Sequence, residues 1–115
     1  MIRFMFLRDK KKQTIGCVAI DVTKQGNSLL LTYGLSVLNP LDKFNRTLAR
    51  NIALGRNRSL DKQDIVYVAS MANMHDISKA VMSNLSFNIR APNRARRAAK
   101  LWLTNNDTRQ LKEIL

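Results

Sequence analysis

The chain has 115 residues, 45% of them hydrophobic and 24% charged, which suits one domain with a modest core and is too apolar for a disordered chain. Twenty Lys and Arg stand against eight Asp and Glu, a formal net charge of +12, and such an excess attracts polyanions. One cysteine, Cys17, and one histidine, His75, exclude an intramolecular disulfide and a Cys-based zinc site and fit a reducing cytoplasm.

The opening run Met1 to Leu7 (MIRFMFL) carries Arg3 inside its apolar stretch and meets Asp9 before any small-residue cleavage site. It reads as a first strand and not as a signal peptide. The polar cluster from Arg8 to Gln13 is the turn after it. Thr14 to Val22 (TIGCVAIDV) is rich in β-branched residues and predicts a second strand, and Lys24 to Asn27 (KQGN) supplies the Gly and Asn of a tight turn. Ser28 to Leu38 (SLLLTYGLSVL) predicts a third strand, in which Gly34 marks a bulge or a close approach of another backbone.

Asn39 and Pro40 read as the N-cap and first residue of a helix running to Leu54, with Gly55 as its C-terminal cap. On that helix Leu41, Phe44, Leu48 and Ile52 share one face, expected to meet the core, and Lys43, Arg46 and Arg50 occupy the opposite arc. Ile65 to Ala69 (IVYVA) is read as a fourth strand, although a buried helical segment fits the same length. Asn73 is placed to cap a helix through Leu85, in which Ile77, Val81 and Leu85 form an i, i+4, i+8 stripe. Pro92 opens a further helix through Leu103, with Ala95, Ala98, Ala99 and Trp102 on one side and Arg94, Arg96, Arg97 and Lys100 spread over the other. Asp107 and Gln110 resemble the capping box of a short separate helix at the end. Together these elements predict a single α+β domain over 1–115, an antiparallel meander of three to four strands packed against two to four helices.

The cations are segregated: only Lys62 and Lys79 fall between Leu60 and Ile89, against Asp61, Asp64 and Asp76. They gather in three groups. The first turn holds Arg8, Lys10, Lys11 and Lys12; the first helix and its end hold Lys43, Arg46, Arg50, Arg56 and Arg58; the third group is Arg90, Arg94, Arg96, Arg97 and Lys100. A phosphate backbone rewards such clusters, because each neutralised phosphate releases condensed counterions, and Arg adds bidentate contacts. The second and third groups are therefore the candidate nucleic-acid-binding residues, and they are expected to reach one shared anionic surface. Phe4 and Phe6 alternate onto one face of their strand, where a core role outweighs base stacking; Trp102 reads as a core anchor. A helix-turn-helix formed by Asp76 to Leu85 and Pro92 to Leu103 is an alternative, with a connection, Ser86 to Ala91, longer than that motif uses.

Catalysis is not expected. His75 is the lone imidazole, no Ser or Cys has a second base beside it, and no phosphate-binding or dinucleotide glycine pattern occurs. Asp61, Asp64 and Lys62 could be imagined around a metal but read as a solvated turn. No metal or cofactor is expected. A run of about 18 apolar residues, as a membrane span needs, is missing.

The stretch Tyr33 to Arg58 (YGLSVLNPLDKFNRTLARNIALGRNR) resembles a pattern of small bacteriophage and prophage proteins to which no activity attaches. The residues that carry it are Tyr33-Gly34, Asn39-Pro40, Asp42-Lys43-Phe44, Ile52-Ala53 and Gly55-Arg56, with Gly16-Cys17-Val18-Ala19 in the second strand. Where that pattern has Gly near the helix middle, this chain has Ala49. The resemblance implies a phage protein in the bacterial cytoplasm beside viral or host nucleic acid. It leaves three expectations: a non-enzymatic binder of DNA or RNA, an inhibitor or modulator docking on a host protein or nucleoprotein, or a virion or packaging component.

Overall fold

The computed structural model describes residues 2–39, 42–58, 64–69 and 73–114, and for 64–69 and 107–114 the backbone alone. The elements run β1 (Ile2–Arg8), β2 (Thr14–Gln25), β3 (Ser28–Val37), α1 (Arg46–Asn57), β4 (Asp64–Ala69), α2 (Met74–Phe87) and α3 (Asn93–Ile114). The four strands form one antiparallel sheet in the order β1-β2-β3-β4. The α+β meander expected from the sequence is the fold observed.

Local chemistry explains the two hairpins. Between β1 and β2, one carboxylate oxygen of Asp9 accepts from the backbone N–H groups of Lys11 and Gln13 at 2.9 and 3.0 Å, and Lys12 adopts a φ of 64° to complete the turn. That is an Asx-type turn, in which a side chain replaces a backbone acceptor. Between β2 and β3, Gln25 pairs with Ser28, and Gly26 takes the left-handed φ of 57° that costs a glycine nothing. Leu7 pairs with Gly16 but Arg8 with Thr14, so Ile15 is an extra residue that turns inward with Val18 and Ile20.

Strand alternation divides the core between two faces. On one, Leu7, Val18, Ile20, Leu31 and Tyr33 pack against Ile77, Val81, Met82 and Leu85 of α2 and Ala95, Ala98 and Ala99 of α3. The buried Tyr33 hydroxyl donates to Asn84 Oδ1 at 2.6 Å and accepts from Asn88 Nδ2 at 3.2 Å, tying the C-terminal end of α2 to β3. On the other face Phe4, Phe6, Cys17 and Ala19 meet Ala49, Ala53 and Leu54 of α1. The domain is thus three layers, with α1 below the sheet and α2 and α3 above it.

Two helices differ from expectation. The helix expected at Pro40–Leu54 starts instead at Arg46, capped by Asn45, whose side chain accepts from the Leu48 N–H at 3.0 Å, and it runs through Gly55 to Asn57. Asn45 outcompetes Asn39 as a cap because Asn39 lies in the exit from β3; Pro40 and Leu41 lie outside the described residues. At the end, the two expected helices are one, since α3 continues through Asp107 to Ile114. The expectation for α2 holds, with Asn73 and Asp76 forming a reciprocal capping box.

Candidate nucleic-acid interface

The orientation of α1 is the largest departure from the sequence reading. Leu48 and Ile52, expected in the core, are 56% and 39% exposed, whereas Ala53 and Asn57 are buried against the sheet. The sheet-facing stripe is Arg46, Ala49, Arg50, Ala53 and Asn57, at i, i+3, i+4, i+7 and i+11, in which Ala53 and Asn57 are buried, Ala49 is half-buried and the two arginines stay exposed, while Leu48 and Ile52 turn away from it. The cause lies in the sheet. Beneath α1 the strands present Gly34, Cys17 and Ala19, which bring two backbones so close that a Cβ on Gly34 would stand 2.2 Å from Asn57 N and 2.3 Å from Ala53 O. Small residues fit that gap and branched ones do not. The Ser36 hydroxyl donates to Ala49 O at 2.8 Å, Asn57 Nδ2 donates to Ala19 O at 3.1 Å and Arg56 Nη1 donates to Leu35 O at 2.6 Å, so polar groups fasten the same face.

Arg46 and Arg50 therefore do not extend from the far side of α1. Their guanidinium carbons sit 4.5 Å above the Phe6 ring and 4.4 Å above the Phe4 ring, and Phe44 meets Phe6 edge-on at 6.1 Å. Both arginines stay exposed at their outer edges, with Lys43 exposed in the segment before the helix. Beneath them the Cys17 thiol is buried, and burial pushes it up to about 11 although Arg50 and Arg46 pull in the opposite direction.

On the other side of the sheet, α3 and the β1–β2 turn enclose a groove of about 700 Å³. Arg94, Arg97, Lys100 and Thr104 line it from successive turns of α3, Lys10 and Lys11 line it from the turn, and Ile15, Ala98 and Leu101 contribute apolar surface. Its one carboxylate among the described residues, Asp9, is occupied by the turn it caps. Arg94 is held by donating from Nη1 to Leu38 O, and Arg97 Nε donates to Asn93 O at 3.4 Å. Among the described residues Lys10, Lys11 and Lys100 form no ion pair, and no aromatic residue lines the groove.

The expected single basic surface is thus corrected to two. Lys43, Arg46 and Arg50 belong to the α1 face, and Arg94, Arg97 and Lys100 to the opposite one. Arg96 donates to Asn93 Oδ1 and lies outside the groove lining, Arg90 sits in the α2–α3 connection, and Arg56 and Arg58 close the end of α1. Lys10 and Lys11 lie outside the candidate set that the sequence suggests; their convergence with α3 is tertiary and no spacing announces it. The helix-turn-helix alternative gains nothing, because the arginine stripe of α3 faces the β1–β2 turn. Asp61 and Lys62 lie outside the described residues, as does the side chain of Asp64.

No family model, curated protein or solved structure matches the chain. The site is accordingly read from its own chemistry. His75 is half-buried in the first turn of α2 with its ring 6.2 Å from that of Trp102, itself packed against the core. Among the described residues no three His, Cys, Asp or Glu side chains come together to hold a metal ion, and no helix is long and apolar enough to cross a membrane.

Proposed function

We propose that the protein binds the phosphate backbone of nucleic acid in the groove between the β1–β2 turn and α3. The observation that carries this reading is five cations, Lys10, Lys11, Arg94, Arg97 and Lys100, converging on one concave surface whose only carboxylate among the described residues is engaged by backbone N–H groups. The first turn of α3 carries Arg94 and Arg96 and no acidic residue. Cations at a helix N-terminus oppose the helix dipole, and a bound phosphate relieves both unfavourable terms. With no aromatic ring in the lining, bases are not stacked there, so the contact is to backbone and tolerant of sequence. A role beside phage or host nucleic acid in a bacterial cytoplasm agrees with this chemistry.

Fluorescence polarisation with labelled duplex DNA, single-stranded DNA and RNA across a salt series tests it. Each neutralised duplex phosphate contributes about 0.9 to the slope of log affinity against log salt, so five cations set a limit of about −4.5. The triple substitution K11A/R97A/K100A is expected to reduce the slope by about 2.7. Absence of binding to all three nucleic acids at low salt, or an unchanged slope in the variant, refutes the reading.

A second reading, docking on a host protein, has one observation in its favour. Phe87 and Ile89, at the end of α2 and just beyond it, are 80% and 87% exposed beside Arg90, and exposed apolar side chains rimmed by charge suit a protein surface. Affinity purification after nuclease treatment separates the two: a stoichiometric host protein lost on F87A/I89A substitution supports docking.

A further inference from the structure

The arginines of α1 are also held by neighbouring groups, yet they stand on the other side of the sheet from the groove. Arg46 and Arg50 stand over Phe6 and Phe4, one helical turn apart, and both residues remain exposed to solvent. A guanidinium already immobilised on an aromatic ring loses little further freedom when it captures a phosphate. The helix end reinforces this. Arg46 is the first residue of α1, the first turn has no acidic residue, and exposed Lys43 lies just before the Asn45 cap, so two cations flank a helix N-terminus whose dipole favours an anion, with Arg50 one turn further on. Two carboxylates belong to this side: Asp42, exposed in the same segment, and Asp21, which follows Cys17 and Ala19 by alternation along β2.

We infer that α1 provides a second phosphate-binding face and that one copy of the protein bridges two nucleic-acid segments, one in the groove beside α3 and one across Arg46 and Arg50. The inference rests on the groove reading above. The intervening sheet separates the two faces, because Phe4, Phe6, Cys17 and Ala19 point toward α1 while Leu7, Val18 and Ile20 point toward α2 and α3. Two sites so arranged hold two duplexes apart on either side of the domain, and the second contact forms at the raised effective concentration that the first creates.

The test is capture of a fluorescent duplex by a second, unlabelled duplex fixed on beads, with the full chain as the only bridge, alongside polarisation measurements on one short duplex. The wild type is expected to capture the label. R46E/R50E is expected to lower capture about tenfold or more while changing binding of the single short duplex by less than about threefold, and R46K/R50K, which keeps charge without the planar stack, falls between. Circular dichroism establishes that each variant is folded, and the Lys pair carries the test where the Glu pair unfolds. Capture that survives R46E/R50E assigns bridging to paired copies and overturns the inference. So does a loss of single-duplex binding equal to that of K11A/R97A/K100A, which would mean one strand wrapping both faces. Duplex binding without capture overturns bridging and leaves the groove reading standing; no duplex binding at all overturns both.

Discussion

Substituting Gly34 by Ala tests the seat of α1 directly. The added methyl would lie 2.2 Å from Asn57 N, 2.3 Å from Ala53 O and 2.8 Å from Arg56 C, against the 3.4 Å at which ordinary contact begins. All three atoms are backbone, so no rotamer change relieves the overlap and α1 must move by about 1 Å as a body. That displacement stretches the Asn57–Ala19 and Ser36–Ala49 hydrogen bonds, whose partners are buried or half-buried. Overpacking costs about 1–3 kcal/mol, and the backbone clash places G34A at the upper end, about 3 kcal/mol. At about 4 °C per kcal/mol for a chain of this size, Tm falls by roughly 12 °C. Gly55 supplies the contrast. It lies within α1 with open space around its Cβ position and no positive φ, so G55A is expected to stabilise by about 0.5–1 kcal/mol through helix propensity. Thermal and urea unfolding of both variants decide the matter. G34A within 0.5 kcal/mol of wild type, or a destabilised G55A, would refute the close seating and the helical assignment respectively.

Two further outcomes concern single sites and a third the charge of the whole protein. The Cys17 thiol, raised from its ordinary value near 9 to about 11 chiefly by burial, is protonated in the native state where the unfolded chain already carries thiolate; its contribution is full below pH 9 and is lost as pH rises towards 11, so C17A should flatten this part of the stability profile, and native Cys17 should resist thiol reagents at pH 8 until the protein is denatured. N73A removes an acceptor for the Asp76 N–H and one half of the capping box, and should lower stability by about 1 kcal/mol, with N73S restoring most of it in urea titrations. Self-repulsion among the cations should make the free protein more stable in 0.3 M than in 0.02 M sodium chloride, and a short duplex at about 100 times its Kd should add about 2.7 kcal/mol at low salt, less for K11A/R97A/K100A; calorimetry showing no salt effect would count against charge repulsion.

Much of the fold is legible in the chain because local signals agree with one another. Strand boundaries follow β-branched runs broken by Asp9 and Gly26, and Asn73 with Asp76 states the start of α2 outright. Gly34 also speaks plainly: a glycine inside an apolar strand predicts a close approach, and α1 supplies it. The expectations that differ from the fold share one cause, which is that local preference does not distinguish between equivalent signals. Asn39 and Asn45 are both good caps by type; in the fold Asn39 opens a turn, its C=O accepting from the Asp42 N–H, and Asn45 caps the helix. Asp107 resembles a cap, yet α3 continues through it.

The rotation of α1 shows why the site was harder to read than the fold. Hydrophobic periodicity assigns the buried face to the largest apolar residues, Leu48 and Ile52, on the premise that a sheet offers room for them. This sheet offers Gly34, Cys17 and Ala19, so the closest packing, and with it the greatest dispersion energy, comes from Ala49 and Ala53. Once those alanines choose the face, Arg46 and Arg50 are carried over the β1 edge, where Phe6 and Phe4 receive their planes and their charged edges remain in water. The same step displaces the arginines from the surface they were expected to share with α3, because Ala95, Ala98 and Ala99 bind α3 to the other side of the sheet. Small residues, not charged ones, thus determine where the charges go: a stripe of alanines on each basic helix sends its cations to a separate face, and the segregation visible along the sequence becomes a division in space.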